Sequence, residues 1–128
     1  MMVLDASAVI ELLLNSRAGE RVAARIHGDH TLHAPHLIDL EVTQVLRRQC
    51  AQGRLDPMRA VAGMELFQRL AVRRHAHQPF LERIWELRHG LSAYDACYVA
   101  LAESLGAVLL TMDLALVSAN HRALVEIA

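Results

Sequence analysis

Short apolar runs recur along this chain between segments of helical length and period. Met2 to Leu4 reads as a buried strand that ends at Asp5. Ala107 to Thr111 is apolar throughout, which implies burial on both faces of a sheet. Thr31 to Ala34 (closed by Pro35), Ala71 to His75 and Val125 to Ala128 are further strand candidates. Between them the spacing predicts helices from a Ser7 cap through Leu14, over Glu20 to Ile26 after a break at Asn15 to Gly19, and over Leu37 to Gln52, where Leu37, Leu40, Glu41 and Val45, extended by Leu46, share one apolar side. Asp56-Pro57 opens another helix that runs to Leu70. Pro79 opens one that Gly90 ends, and Ser92 to Leu105 is stopped by Gly106. Strands that alternate with helices predict an α/β fold, a parallel sheet with helices on both sides.

The chain has 128 residues and reads as a single domain over 1–128. Hydrophobic residues make up 54% and charged residues 21%, which excludes disorder. The formal net charge is −1, so any nucleic-acid contact has to be local. All 13 basic residues are Arg, which excludes P-loop and Schiff-base lysine chemistry. Cys50 and Cys97 fall in helical patterns and read as small buried hydrophobes in a reducing compartment. The N-terminus lacks a basic n-region, and Asp5 and Glu11 break its apolar run. No run approaches the roughly 20 apolar residues of a membrane span. The expectation is a cytoplasmic protein.

Against this apolar background, Asp5, Glu41, Asp95 and Asp113 stand at the ends or sides of core segments. A carboxylate is costly to bury unless paired, hydrogen-bonded or bound to a metal. Ligands of open α/β sheets bind beyond the carboxyl ends of the strands, where Asp5 and Asp113 belong. Four clustered carboxylates repel one another, and divalent cations remove that cost. Oxygen ligands suit Mg2+ or Mn2+ rather than zinc. Such a site activates water for attack on a phosphodiester. Each acid also has a plainer explanation: a helix cap for Asp5, a solvated helix face for Glu41, a capping box with Ser92 for Asp95, and a turn for Asp113.

The segments Val-Leu-Asp5-Ala-Ser7-Ala, Leu40-Glu41-Val-Thr-Gln-Val-Leu-Arg-Arg, Leu91-Ser-Ala-Tyr-Asp95-Ala-Cys-Tyr-Val-Ala-Leu-Ala-Glu and Leu110-Thr111-Met-Asp113 resemble the PIN-domain proteins, specifically the VapC-type toxins of bacterial toxin–antitoxin pairs. The resemblance spans nearly the whole chain. It implies a PIN-like three-layer α/β sandwich, with a small parallel sheet of four to five strands flanked by helices. It also implies a metal-dependent endoribonuclease toxin that uses Mg2+ or Mn2+, acts as a homodimer and is neutralised by a cognate VapB-like antitoxin. Asp5, Glu41, Asp95 and Asp113 fall on the family's acidic catalytic and metal positions, and Ser7 and Thr111 on supporting hydroxyl positions. The chain departs from the family pattern in the apolar Leu-Ala-Leu-Val after Asp113 and in having no Lys to meet RNA. A degenerate PIN module that only binds antitoxin or RNA is the alternative. A phosphatase with an Asp nucleophile fits poorly, since Asp5-Ala-Ser7 lacks a second Asp.

The remaining polar features have local explanations. His27, His30, His33 and His36 recur every three residues, but a strand sends such positions to opposite faces, so they read as surface or edge histidines. Among them His36 stands closest to the expected acidic edge. His75 and His77 share one face of a strand. Arg47, Arg48, Arg73 and Arg74 read as solvated pairs or as phosphate contacts at a pocket mouth. Tyr94 and Tyr98 read as packing residues ahead of base-stacking ones, and the broad apolar side of the Trp85 helix reads as core packing, with a dimer or antitoxin interface as the alternative.

Overall fold

In a computed structural model that describes residues 1–28 and 30–128, five parallel strands form one sheet in the order β3-β2-β1-β4-β5. The strands are β1 (Met2–Leu4), β2 (Leu32–Pro35), β3 (Val72–His75), β4 (Val108–Thr111) and β5 (Leu124–Ile127). The first three strands step outward in one direction, and the chain then returns to the other side of β1 for β4 and β5. The order therefore reverses between β1 and β4, where α/β sheets open a crevice. Every residue of β1 is buried, as expected of a central parallel strand.

The helices are α1 (Ala6–Leu13), α2 (Arg17–Ile26), α3 (Leu37–Ala51), α4 (Pro57–Arg69), α5 (Leu81–Glu86), α6 (Ala93–Leu105) and α7 (Ala115–Ser118). Helices α1 to α4 pack on one another, while α6 lies against β1, β2 and β4 with α5 beside it. The sheet between these two helical layers is the three-layer sandwich. Among the described residues no helix is long and apolar enough to cross a membrane.

Local chemistry explains most boundaries. Ser16 caps α2 by accepting the Gly19 N–H, so this helix begins three residues earlier than the Glu20 start expected, and the break shrinks to the turn at Asn15. Gly19 is needed there, because a Cβ would come within 2.1 Å of the Glu11 carbonyl oxygen. Asp56 and Pro57 open α4, Ser92 caps α6, and Gly106 ends α6 at φ +61. The helix opened by Pro79 is shorter than expected: a 3-10 turn at Gln78–Phe80 leads into α5, which ends at Glu86. Helix α7, in the apolar segment after Asp113, was not anticipated. It buries Leu116 fully.

Several packing expectations are corrected. Helix α3 buries Ile38, Val42 and Leu46, whereas Leu40 is 73% exposed. Of the side shared by Leu37, Leu40, Glu41, Val45 and Leu46, Leu46 belongs to the core, Leu37 and Val45 pack partly buried against it, and Leu40 does not. Trp85 is 67% exposed, with the Arg88 guanidinium stacked 4.4 Å from its ring centre. His33 is not a surface residue. It is buried, and its Nδ1 shares a 2.8 Å hydrogen bond with His75 Nε2 on the neighbouring strand. The register pairs His33 with Arg73, which makes His75 its diagonal neighbour on the same face. His77 lies beyond the end of β3 and does not share a strand face with His75.

Candidate active site

Asp5 is held by the ends of the two central strands. It follows β1, its N–H donates to the Leu110 carbonyl, and it occupies the cap position of α1. Its side chain makes no capping bond, which removes the plainest explanation for it. Ser7 lies inside α1 and does not cap it. Instead Asp5 Oδ2 accepts hydrogen bonds from Ser7 Oγ at 2.7 Å and Thr111 Oγ1 at 2.6 Å. Each hydroxyl is turned toward the acid by a backbone N–H that it accepts, Met112 to Ser7 and Asp113 to Thr111, both at 3.0 Å. Asp5 is 6% exposed and Thr111 fully buried. No hydrogen bond is made to Asp5 Oδ1 among the described residues. Because no buried side-chain polar atom there lacks a partner, Oδ1 opens onto the adjoining cavity.

Glu41 is fixed in a similar way from the other helical layer. Tyr98 is fully buried on α6, and its hydroxyl donates to Glu41 Oε1 at 2.6 Å. Tyr98 thus does more than pack, a role that sequence reasoning missed. The only signal was its position one helical turn after Asp95, where a buried phenol needs a partner. Asp95 is half-buried in the first turn of α6, where Ser92 accepts its N–H at 3.1 Å. Asp113 is exposed. Its Oδ1 accepts the Ala115 N–H at 2.9 Å, so it serves as the expected turn residue while its second oxygen stays free of the turn.

These four acids and Ser7 line one cavity of about 730 Å3 at the β1–β4 switch point. Leu37, Leu40, Gln44, Val45 and Arg48 of α3 complete one side, and Tyr94 of α6 also contributes. Leu40 is therefore cavity wall, and Leu37 and Val45 lie between the cavity and the core. Tyr94, 62% exposed, is not a packing residue either. Glu11 is a fifth acid in the lining that sequence reasoning did not select; the Ser16 hydroxyl ties it to the α1–α2 turn. His36 is exposed and does not line this cavity.

The charges in the cavity act on one another. Burial pushes the Glu41 carboxyl above its ordinary pKa, the charges of Asp5 and Asp95 push it further, and the Tyr98 hydrogen bond offsets part of the rise. Burial followed by the charges of Asp5 and Asp113 raises Asp95, against a smaller opposing effect of Ser92. Burial, with Glu41 nearby, pushes the Cys97 thiol up to about 11, which keeps it protonated and inert. No Arg forms an ion pair with any of the four acids among the described residues.

A hard divalent cation fits this donor set, which consists of carboxylate oxygens with Asp5, Glu41 and Asp113 each anchored through one oxygen. As the side chains stand, no three His, Cys, Asp or Glu groups among the described residues converge on one point at ligand distance. A cation that keeps part of its water shell needs only one or two direct carboxylates, so the two observations agree. A second cavity, of about 780 Å3, lies at α5, α6 and β5, but its arginines are paired: Arg83 binds Glu103 through two bonds and Glu86 through a third, and Arg122 lies 3.7 Å from Glu103.

The PIN domain family matches residues 2–121. Ribonuclease VapC9 of Mycobacterium tuberculosis is 45% identical over 117 residues, which span 91% of this chain and 88% of that protein. Ribonuclease VapC12 of the same organism is 39% identical over 128 residues, covering 99% and 98%. The fold of VapBC2 from Rickettsia felis, solved bound to a DNA fragment from its promoter, superposes with a TM-score of 0.73 at 10% identity, covering 98% of this chain and 97% of that one. Nearly full-length identity to two VapC ribonucleases, on a PIN match that takes in all four acids, makes this chain a member of the PIN-domain family of VapC ribonucleases.

Proposed function

We propose that the cavity at the β1–β4 switch point is the active site of an endoribonuclease toxin that depends on Mg2+ or Mn2+. The observation that carries this reading is the set of four carboxylates lining one cavity, none neutralised by an Arg among the described residues and three anchored through a single oxygen. Asp5, Glu41, Asp95 and Asp113 would hold the cation, with Ser7 and Thr111 keeping Asp5 in place and Tyr98 keeping Glu41 in place. When bound, a divalent cation supplies charge for the phosphate and lowers the pKa of water. The protein then needs no side-chain nucleophile, and its own part is to orient the carboxylates.

Residues 1–128 act as one catalytic domain in this reading, supported by a single sheet that runs from Met2 to Ile127. A cognate VapB-like antitoxin is the partner in this reading, supported by the similarity to VapC ribonucleases, with a solved VapBC complex among the structures of the same fold. A cavity this acidic suits a cationic antitoxin side chain. The exposed Leu81, Trp85, Leu114 and Val117 offer apolar surface for a homodimer.

The test is the purified chain, free of antitoxin, incubated with total cellular RNA. Cleavage with Mg2+ that EDTA abolishes, and that Asp5→Asn and Asp95→Asn lose while keeping the fold, supports the site. Variants that cut as well as the parent would show the site to be misassigned. RNA binding without any cation-dependent cleavage would identify a degenerate PIN module.

A further inference from the structure

We infer that Arg48 binds a backbone phosphate of the substrate strand, next along α3 from the phosphate being cleaved. The inference rests on the endoribonuclease reading above and adds a substrate contact to that site.

Arg48 is the one cationic side chain lining the acidic cavity among the described residues, against the carboxylates of Asp5, Glu11, Glu41, Asp95 and Asp113. It is exposed, and its guanidinium makes no hydrogen bond or ion pair among the described residues. Two other arginines on or beside α3 are engaged elsewhere. Arg47 Nε donates to Gln44 Oε1 at 3.0 Å and lies along the separate α3–α4 groove with Cys50 and Met64. Arg74 is bound to Asp39.

Position gives Arg48 its role. Glu41, Gln44 and Arg48 stand at i, i+3 and i+7 on the cavity side of α3. Seven residues of helix carry Arg48 about 10 Å along the axis from Glu41. No ion pair joins Arg48 to Glu41 among the described residues, so Arg48 is not that acid's counter-ion. It is well placed for a neighbouring phosphate of a strand whose scissile phosphate lies among the acids. The fork of a guanidinium matches phosphate oxygens. A strand held in this way gains a local attraction in a cavity that otherwise repels it.

The experiment compares Arg48→Ala, Arg48→Lys and Arg47→Ala. Cleavage kinetics on a single-stranded RNA are measured with Mg2+, and binding of a labelled RNA is measured against salt concentration in the Asp5→Asn background. The expected result for Arg48→Ala is a KM raised about tenfold with kcat within about twofold of the parent. Its salt slope for binding falls by about 0.7, the loss of one phosphate contact on a single strand. Arg48→Lys keeps the slope, Arg47→Ala behaves as the parent, and all three retain the parent melting temperature. A parent-like KM and slope in Arg48→Ala would overturn the inference while leaving the endoribonuclease reading intact. Equal losses in Arg47→Ala would overturn it too, because diffuse charge and not position would then account for binding. If the parent does not cut RNA, the endoribonuclease reading falls, and an unchanged binding slope in Arg48→Ala would take this inference with it.

Discussion

On the β2–β3 side of the sheet, His33 is 5% exposed and bonded to His75 through one ring nitrogen and to Thr31 Oγ1 through the other, while Arg74 is paired with Asp39 at 2.8 Å. On the β1–β4 side, Asp5 and Glu41 receive hydroxyls but no cation among the described residues, and burial, with the neighbouring acids, holds Glu41 and Asp95 above their ordinary pKa. Both sides set polar groups against an aliphatic core. One closes its polar chemistry internally, whereas the other leaves charge unspent and opens it to a cavity. Internal satisfaction marks a structural cluster, and unspent charge marks a site that awaits a ligand.

Substitution separates the two sides most sharply. Asp95→Asn should lower RNA cleavage by about a hundredfold or more, as loss of a cation ligand costs several kcal/mol of transition-state stabilisation. The same change should raise the melting temperature of the cation-free protein by a few degrees, because it removes a like charge. Kinetics and thermal unfolding of one variant check both signs. His75→Ala should do the reverse: it strands a buried imidazole nitrogen and costs about 1–3 kcal/mol of stability by denaturant unfolding, with cleavage retained.

The two sides should also respond oppositely to pH. Glu41 and Asp95 have folded pKa values above their unfolded ones. Their contribution to stability is thus fully present below about pH 4 and lost as pH rises through the folded values. His33 and His75 are shifted downward, by burial first, then for His33 by His75 and for His75 by Arg73. Their contribution is present above about pH 6.5 and lost as pH falls toward the folded values. Unfolding curves of Asp95→Asn and His75→Ala across pH 4 to 8, each subtracted from the parent, should therefore slope in opposite senses. The smallest effect belongs to Arg74→Ala. Its ion pair is partly exposed, and loss of that pair with the stacking on Phe67 should cost about 1 kcal/mol without changing cleavage.

The acidic side was the more legible in sequence, for a physical reason. A carboxylate at the end of an apolar strand is conspicuous, and parallel α/β topology sends such ends to one edge, so Asp5 and Asp113 were readable as neighbours. The hydroxyl partners of Asp5 were readable only through family resemblance. Periodicity alone could not tell a stripe that lines a cavity from one that lines the core, so Leu40 and Tyr94 were assigned to packing. The histidine pair was hidden because His33 and His75 meet only through strand register, which a single sequence does not state. Trp85 shows the same limit from the other side: a broad apolar face marks burial only if another element arrives to cover it.

The central claim, that the β1–β4 carboxylates form a cation site, is tested most directly by thermal unfolding at neutral pH with and without Mg2+ or Mn2+. A melting temperature that rises with cation concentration in the parent, and no longer does so when Asp5 and Asp95 are both changed to Asn, is the predicted result. A parent indifferent to either cation, or a double variant stabilised as much as the parent, would contradict it.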